Sequence, residues 1–527
     1  MTSKSTGSYY TPSKLAEFIF DHVVSNFTQK SSLRVLEPSC GDGVFLQAFQ
    51  KNGIRENVFV DAVEKNSRAI NLAQKGTSKL EKNIKIKFIQ DDFLKAELTT
   101  GYDLVIGNPP YIGRKLLTKQ QRSVCTKIHV DGGLAVKSIR NIWPAFVVKS
   151  SQLLNENGML ALVLPGELLQ VNYAKEIREY LEKNFLSVEI LTFENLVFSA
   201  LGQDVVVVFA YKSSKSPGVW YAKIKDVEKL DNSIEFIKRE SLTTAKWSNF
   251  VLDDNDLNFL AAISSKVKNI SHYCTSSPGV VTGANNFFIV NKDTVKKYKL
   301  EDYSKPILQK SSFIENGVSF NNSQLTKLQS ANEPSFLVDL GNTPYKNLPL
   351  DVKAYLQFGK KNSIHTGYKC RNRKPWYNIP VVWVPVGVVF KRSHLYPKLI
   401  RNDANALVTD AAYRIIPSGG NNIESIIYSF YNSLTLTFCE LNGRYYGGGV
   451  LELTPSEFKS LPLPYKNITK EEFSKFGSKF KDSKNIDGLI KQNDDSLLSV
   501  LGLELLEIER IQKIREKLLA HRLRTAT

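Results

Sequence analysis

A chain of 527 residues and 59.4 kDa is too long for a single hydrophobic core and implies two or three domains. Its 42% hydrophobic and 23% charged residues are those of a folded globular protein, and no apolar run approaches the length of a membrane span. Five cysteines without a C-x-x-C pair argue against a zinc ribbon or a disulfide framework, whereas a net charge of +18 points to a polyanionic partner, nucleic acid or an anionic membrane.

The N-terminus, "MTSKSTGSYYTP", lacks the apolar core of a signal peptide, so a cytoplasmic location is expected. Short apolar runs follow at 33–36, 58–63, 84–89, 102–107 and 159–165, each with strand length and composition. Helix-like segments lie between several of them, one from Val44 and one from Ala145 with Asn141 as its expected cap and Pro144 in its first turn. This alternation predicts an α/β fold with a doubly wound, mainly parallel sheet. Runs at 187–193 and 204–212 leave little room for a helix and are expected to close the sheet as a hairpin, before a linker-like stretch at 212–218.

The first strand leads into "VLEPSCGDGVFL" (35–46), a tight turn and helix start at the edge where doubly wound sheets bind ligands. Only Gly41 and Gly43 are present, so the dinucleotide fingerprint is absent. Glu37 precedes the turn, Glu64 ends the second strand, and Asp91 and Asp92 end the third. These carboxylates suit ribose hydroxyls, an exocyclic amine and positive charge rather than pyrophosphate. S-adenosylmethionine has all three.

The fourth strand ends in Asn108, Pro109, Pro110 and Tyr111. An adenine N6 amine is a poor nucleophile, because its lone pair is delocalised into the ring. The Asn108 side-chain oxygen and the Pro109 carbonyl supply two acceptors for its hydrogens. The prolines restrict the backbone that carries them. Tyr111 supplies a ring for stacking, and Phe198, in the loop before the last strand, a second wall. A base inside a duplex has to be flipped out to reach such a pocket. The basic, glycine-hinged segment 114–140 is expected to fold over the flipped base.

Beyond about residue 245 the pattern is irregular, with strand-like pieces such as "VVWVPVGVVF" (381–390) among long connections. "YKCRNRKPWY" (368–377) places Lys369, Arg371, Arg373 and Lys374 beside Trp376 and Tyr377, and "FKRSHLY" adds Lys391 and Arg392. Cations of this kind hold phosphates, and arginine reads guanine edges. The tail from Leu497 has helical periodicity and is expected to pack on the protein. The six histidines are scattered without a metal-binding spacing, so no metal is expected.

These elements, in this order, resemble the gamma-class N6-adenine DNA methyltransferases of restriction–modification systems. The resemblance assigns Tyr10, Thr11 and Pro12 to the methionine part of the cofactor. Glu37, Pro38 and Gly41 match its acidic turn, Glu64 its ribose carboxylate, and Asp92 with Phe93 the element that reads the cofactor adenine. The doubled Asp91–Asp92 leaves open which carboxylate does so. Asn108 to Tyr111 match the catalytic tetrapeptide and Phe198 the stacking element. "VTGANNFFIV" (281–290), "RNRKPWY" and "YYGGGVLELTPSEFKSLPLP" (445–464) resemble the family's target-recognition domain.

The implied molecule has a Rossmann-like doubly wound S-adenosylmethionine methyltransferase domain at 1–245. A mixed α+β target-recognition domain follows at 246–465, and a helical extension at 466–527. Its partners would be duplex DNA and, in a restriction–modification setting, a companion endonuclease, with no membrane. The same tetrapeptide resembles that of enzymes methylating glutamine amides or ribosomal RNA bases. A DNA-binding module retaining an inactive methyltransferase fold is the non-enzymatic alternative.

Overall fold

The computed structural model describes residues 11–24, 27, 31–49, 57–135, 139–195, 197, 198, 204–213, 215–231, 234–239, 246–380, 382–446, 448–483 and 486–523. It divides into two compact units, Met1–Asp254 and Asn255–Thr527.

The first unit is built on one nine-stranded sheet in the order β3-β2-β1-β4-β5-β7-β6-β8-β9. The strands are β1 Ser32–Glu37, β2 Asn57–Glu64, β3 Ile84–Gln90, β4 Tyr102–Gly107, β5 Leu154–Pro165, β6 Ser187–Phe193, β7 Val205–Tyr211, β8 Gly218–Ile224 and β9 Ile237–Arg239. β1 to β5 are mutually parallel, as the alternating apolar runs predict. β4, β6 and β7 are buried along their whole length, which is why they read as unbroken apolar runs.

The expected hairpin forms, β6 and β7 pairing antiparallel, but it does not close the sheet. β7 inserts antiparallel between β5 and β6, and the sheet continues through β8 and β9. The linker-like stretch is only the turn into β8, whose partner lies thirty-odd residues back and leaves no local signal. β6 therefore runs parallel to β4, and the loop after it emerges at the same edge as the loop after β4.

Asn141 does not cap the helix Trp143–Leu153. Ile142 stands at the cap, Pro144 lies in the first turn as expected, and the Asn141 side chain accepts the Ile142 N–H at 2.8 Å. Within the segment 114–140 the described residues include a regular helix. Residues Lys119–Asp131 form a helix with a Thr118–Gln121 capping box, and Cys125 and Ile128 bury its inner face in the core of the unit.

The second unit has five-, four- and three-stranded sheets and several separate cores. Of the described residues 382–390, only Gly387–Phe390 is a strand, because Pro385 removes a donor that a longer ladder needs. In the tail, Gly502 adopts φ +76 and breaks the helical pattern, so the final helix is Leu505–Leu523. It packs on the helix Ser433–Asn442. No described helix is long and apolar enough to cross a membrane.

Candidate active site

Parallel pairing brings the carboxyl ends of β1, β2, β3 and β4 to one edge. Leu36 is level with Val105 of β4, Glu37 with Ala62 of β2, and Glu64 with Gln90 of β3. The turn after β1 follows from two glycines. Gly41 has φ +53 and donates its N–H to Glu64 Oε2 at 3.1 Å. Gly43 has φ +86, and a Cβ there would lie 2.9 Å from the Ala73 Cβ, so a side chain would push the turn off the neighbouring helix. Glu64 Oε1 accepts the Asn66 N–H at 2.8 Å. Two backbone donors fix this carboxylate while leaving each oxygen a further acceptor site.

Glu37 is the anomaly of the site. It is 0% exposed, and neither carboxylate oxygen has a hydrogen-bond partner among the described residues. Burial, aided by Asp42 and Glu64, pushes its carboxyl well above the usual carboxylate range. Burial also raises Asp42. An unpaired buried carboxyl costs stability unless something satisfies it, and a cationic or N–H-bearing ligand would do so.

Beyond β3, Asp91 is exposed and accepts the Asp92 N–H at 2.6 Å. Asp92 is half-buried, accepts the Leu94 N–H at 3.2 Å and pairs with Lys65 at 3.1 Å. Phe93 is buried against Phe146. Sequence reasoning missed Lys149, whose ammonium donates to the Phe93 and Ala96 carbonyls at 2.7 and 2.8 Å and anchors this loop. Burial lowers that lysine.

After β4, three residues brace Asn108. Its Nδ2 donates to Thr11 Oγ1 at 3.2 Å, its Oδ1 accepts the Tyr111 hydroxyl at 2.8 Å, and its backbone carbonyl accepts from Ser39 Oγ at 3.0 Å. The Tyr111 hydroxyl also lies 2.9 Å from the Val163 carbonyl. Thr11 is thus brought to the tetrapeptide, and Pro12 starts the first helix through its carbonyl. Tyr10 lies outside the described residues. Pro38 and Pro109 are buried and Pro110 is half-buried. No hydrogen bond to the Pro109 carbonyl occurs among the described residues. Tyr111 and Phe198 are both buried in the core of the unit. Ser39 was not foreseen, although it sits inside the acidic turn. Burial pushes the thiols of Cys40 and Cys125 up, the latter to about 12, which disfavours the thiolate at both.

In the second unit the predicted contact residues divide. Arg373 donates to the carbonyls of Val281 and Thr282, both at 2.7 Å, and Trp376 packs against Phe287 and Phe288. Lys391 lies over the Tyr413 ring, and Arg392 pairs with Glu452 at 2.6 Å. Lys369 and Arg371 are exposed, the latter over the Tyr368 ring. Lys369 lines a cleft of about 700 Å³ with Thr282, Asn285, Asn286, Phe358 and Asp410.

Two family profiles match this chain. The Eco57I restriction-modification methylase profile covers residues 24–198, and that of the C-terminal domain of Type II methyltransferase M.Eco57I covers residues 244–498. The chain belongs to the Eco57I-like family of type II restriction–modification methyltransferases. Its similarity to Type II methyltransferase M.AccI of Acinetobacter calcoaceticus is 24% identity over 533 residues, spanning 94% of this chain and 93% of the relative. Type II methyltransferase M.BanIII of Aneurinibacillus aneurinilyticus is 23% identical over 541 residues, spanning 88% and 90%. Among solved structures, the Type IIL restriction-modification enzyme MmeI in complex with DNA shares the fold. Its TM-score is 0.61 at 13% identity, over 96% of this chain and 76% of that one. The Eco57I-like profiles thus fall on both units, the braced tetrapeptide lying in the first and the cleft in the second.

Proposed function

We propose that this Eco57I-like methyltransferase transfers a methyl group from S-adenosylmethionine to N6 of an adenine flipped out of duplex DNA. The observation that carries the proposal is Asn108, a strand-end amide held by Thr11, Tyr111 and Ser39 within the edge that also carries the orphaned Glu37 carboxyl. The residues fit the cofactor: Glu37 offers a carboxyl to its cationic part, Glu64 accepts from ribose hydroxyls, and Asp92 with Phe93 receives the adenine. Thr11 and Pro12 border the methionine part, with Pro38 and Gly41 shaping the turn. When bound, S-adenosylmethionine supplies an electrophilic methyl on sulfonium.

The chain's own work is positional. Asn108 Oδ1 and the Pro109 carbonyl accept hydrogen bonds from the two N6–H groups, which localises the amine lone pair and aims it, and the proton that N6 sheds once methylated passes to water. The bracing of Asn108 exists before substrate arrives, so little ordering is left to the reaction. The Tyr111 and Phe198 rings enclose the base. Both are buried, so the pocket opens as the base enters. Lys369, Arg371, Lys391 and Arg392 serve the DNA backbone and base edges. Arg373 and Trp376 act one step back, by shaping the cleft beside Lys369.

The test is transfer from labelled cofactor to duplex DNA, total RNA and a protein extract, with Asn108→Ala alongside. N6-methyladenine in DNA, lost in the variant, supports the proposal. Label on RNA or protein alone, or on another position of DNA, overturns it. Cofactor binding without any transfer would favour an inactive binding module.

A further inference from the structure

The turn that follows the tetrapeptide carries an unusual combination of groups. Between Asp103 and Asp131 the chain has no acidic residue, whereas Arg114, Lys115, Lys119, Arg122 and Lys127 are all cationic. Arg114, Lys115 and Lys119 are exposed, as is Arg140 in the returning segment. In their midst stands Leu116, 55% exposed at the end of the short helical turn Arg114–Leu116.

A single exposed leucine is ordinary. Leu116 differs in its mount. Gly113 bridges Asn141, the Arg114 N–H donates to the Arg140 carbonyl at 2.8 Å, and the Ile142 N–H donates to the Ile112 carbonyl at 3.1 Å. The Leu116 N–H closes the turn on the Gly113 carbonyl at 2.9 Å. Leu117, the next residue, is buried, and Thr118 caps the following helix. An exposed apolar side chain, flanked by exposed cations, thus stands on a turn tied down by backbone hydrogen bonds. At most about 18 Å of extended chain, the length of about five base steps, separates it from Tyr111.

Pulling an adenine out of a duplex leaves a gap in the stack, and apolar side chains of DNA-deforming proteins enter such gaps between bases. We propose that Leu116 is the wedge that occupies the stack where the flipped adenine has left, while Arg114 and Lys115 hold the flanking phosphates. It is a positioning residue for the base, and the inference rests on the duplex-adenine reading given above.

The experiment begins by sequencing DNA methylated by the wild-type protein, which defines the site. A duplex carrying 2-aminopurine at the target position then reports flipping by fluorescence. With Leu116→Ala the fluorescence rise on binding should shrink by about fivefold or more, and methylation of the matched duplex should slow by about tenfold. The same variant should return to within about twofold of wild type on a duplex whose target adenine faces a mismatch, because that base is already unstacked at lower cost. Leu116→Met, which keeps an apolar tip, should resemble wild type. Arg114→Ala with Lys115→Ala should weaken DNA binding and reduce its salt slope by about two.

Normal flipping and matched-duplex methylation by Leu116→Ala would overturn the wedge. So would equal losses on matched and mismatched duplexes, which would mark a folding defect. A wild-type protein that methylates no duplex DNA would instead overturn the parent proposal, and the wedge with it.

Discussion

In the first unit the acidic and amide groups stand where the backbone alone puts them. Glu37 and Glu64 end parallel strands, and Asp92 and Asn108 follow such strands within two residues. Among the described residues of the second unit the strand pairs are mostly antiparallel, and long-range side-chain bonds tie its segments together. Arg373 ties the cleft wall at 281–282 to the segment 368–377. Arg522, in the last turn of the final helix, donates to both oxygens of Glu440 and to the carbonyls of His394, Leu395 and Gly449. All five of its N–H groups are used. A site placed by strand ends tolerates loop variation around it. A surface placed by single buried cations stands or falls with each of them.

The largest expected effect tests the strand-end half of this contrast. Asn108→Ala should slow single-turnover methylation by about 10³-fold, as loss of a preorganised polar group does. Cofactor affinity, measured by calorimetry, should stay within about twofold, since the fold itself holds the carboxylates. A large loss of cofactor binding would show that the tetrapeptide and cofactor sites are not separable.

Arg522→Ala should have the next effect, on the other unit. It strands the buried Glu440 carboxylate and should cost about 3–5 kcal/mol in the stability of that unit. Hydrogen exchange should show protection lost at 392–395 and 444–452, with β1 to β5 unchanged. Uniform loss throughout the chain would overturn the assignment of Arg522 to its own unit.

Glu37 gives a pH-dependent effect of intermediate size. Its carboxyl is raised in the folded protein, so the folded state holds a proton that the unfolded chain has released. The associated stability is fully present below the ordinary glutamate range and is lost as pH rises through the raised folded value. Without cofactor, the melting temperature should therefore fall over that window, and Glu37→Gln should flatten the fall. Cofactor binding through an ionised Glu37 should release about one proton, visible as a dependence of calorimetric heat on buffer ionisation enthalpy. Equal pH profiles for Glu37→Gln and wild type would remove Glu37 from that account.

The smallest effect separates exposed from built-in cations. Lys369→Ala and Arg371→Ala should each weaken DNA binding several-fold and lower the salt slope by about one, leaving thermal stability unchanged. Arg373→Ala should instead open the cleft and lower stability, because its guanidinium serves two carbonyls. If Arg373→Ala behaved like the exposed pair, the division drawn here between contact and scaffold would fail.

Much of the first unit was legible because its strands are buried on both faces and its distinctive residues cluster at strand ends. The insertion of β7 between β5 and β6 was not, since register among buried valines carries no local mark. β8 and β9 escaped notice because their hydrogen-bond partners lie outside any sequence window. The second unit's cations were visible as charge, but their partners were not. Arg373 reaches carbonyls about ninety residues away, and Arg392 meets a glutamate sixty residues on. Arg373 is thereby drawn partly inward, whereas Arg392 stays exposed beside its partner. Lys149 stayed hidden for the same reason, being one lysine on an apolar helix.

The insertion of β7 also has a consequence for the order in which the molecule assembles. Tyr111 follows β4, but Phe198 reaches the same edge only after the chain has completed β5 and turned through β6. A nascent or partly refolded chain ordered through β5 already presents the carboxylate-lined turn, yet it has only one wall of the aromatic pocket. Such long-range closure is the slow part of folding. Competence to hold a small cofactor should consequently appear earlier in refolding than competence to hold a base.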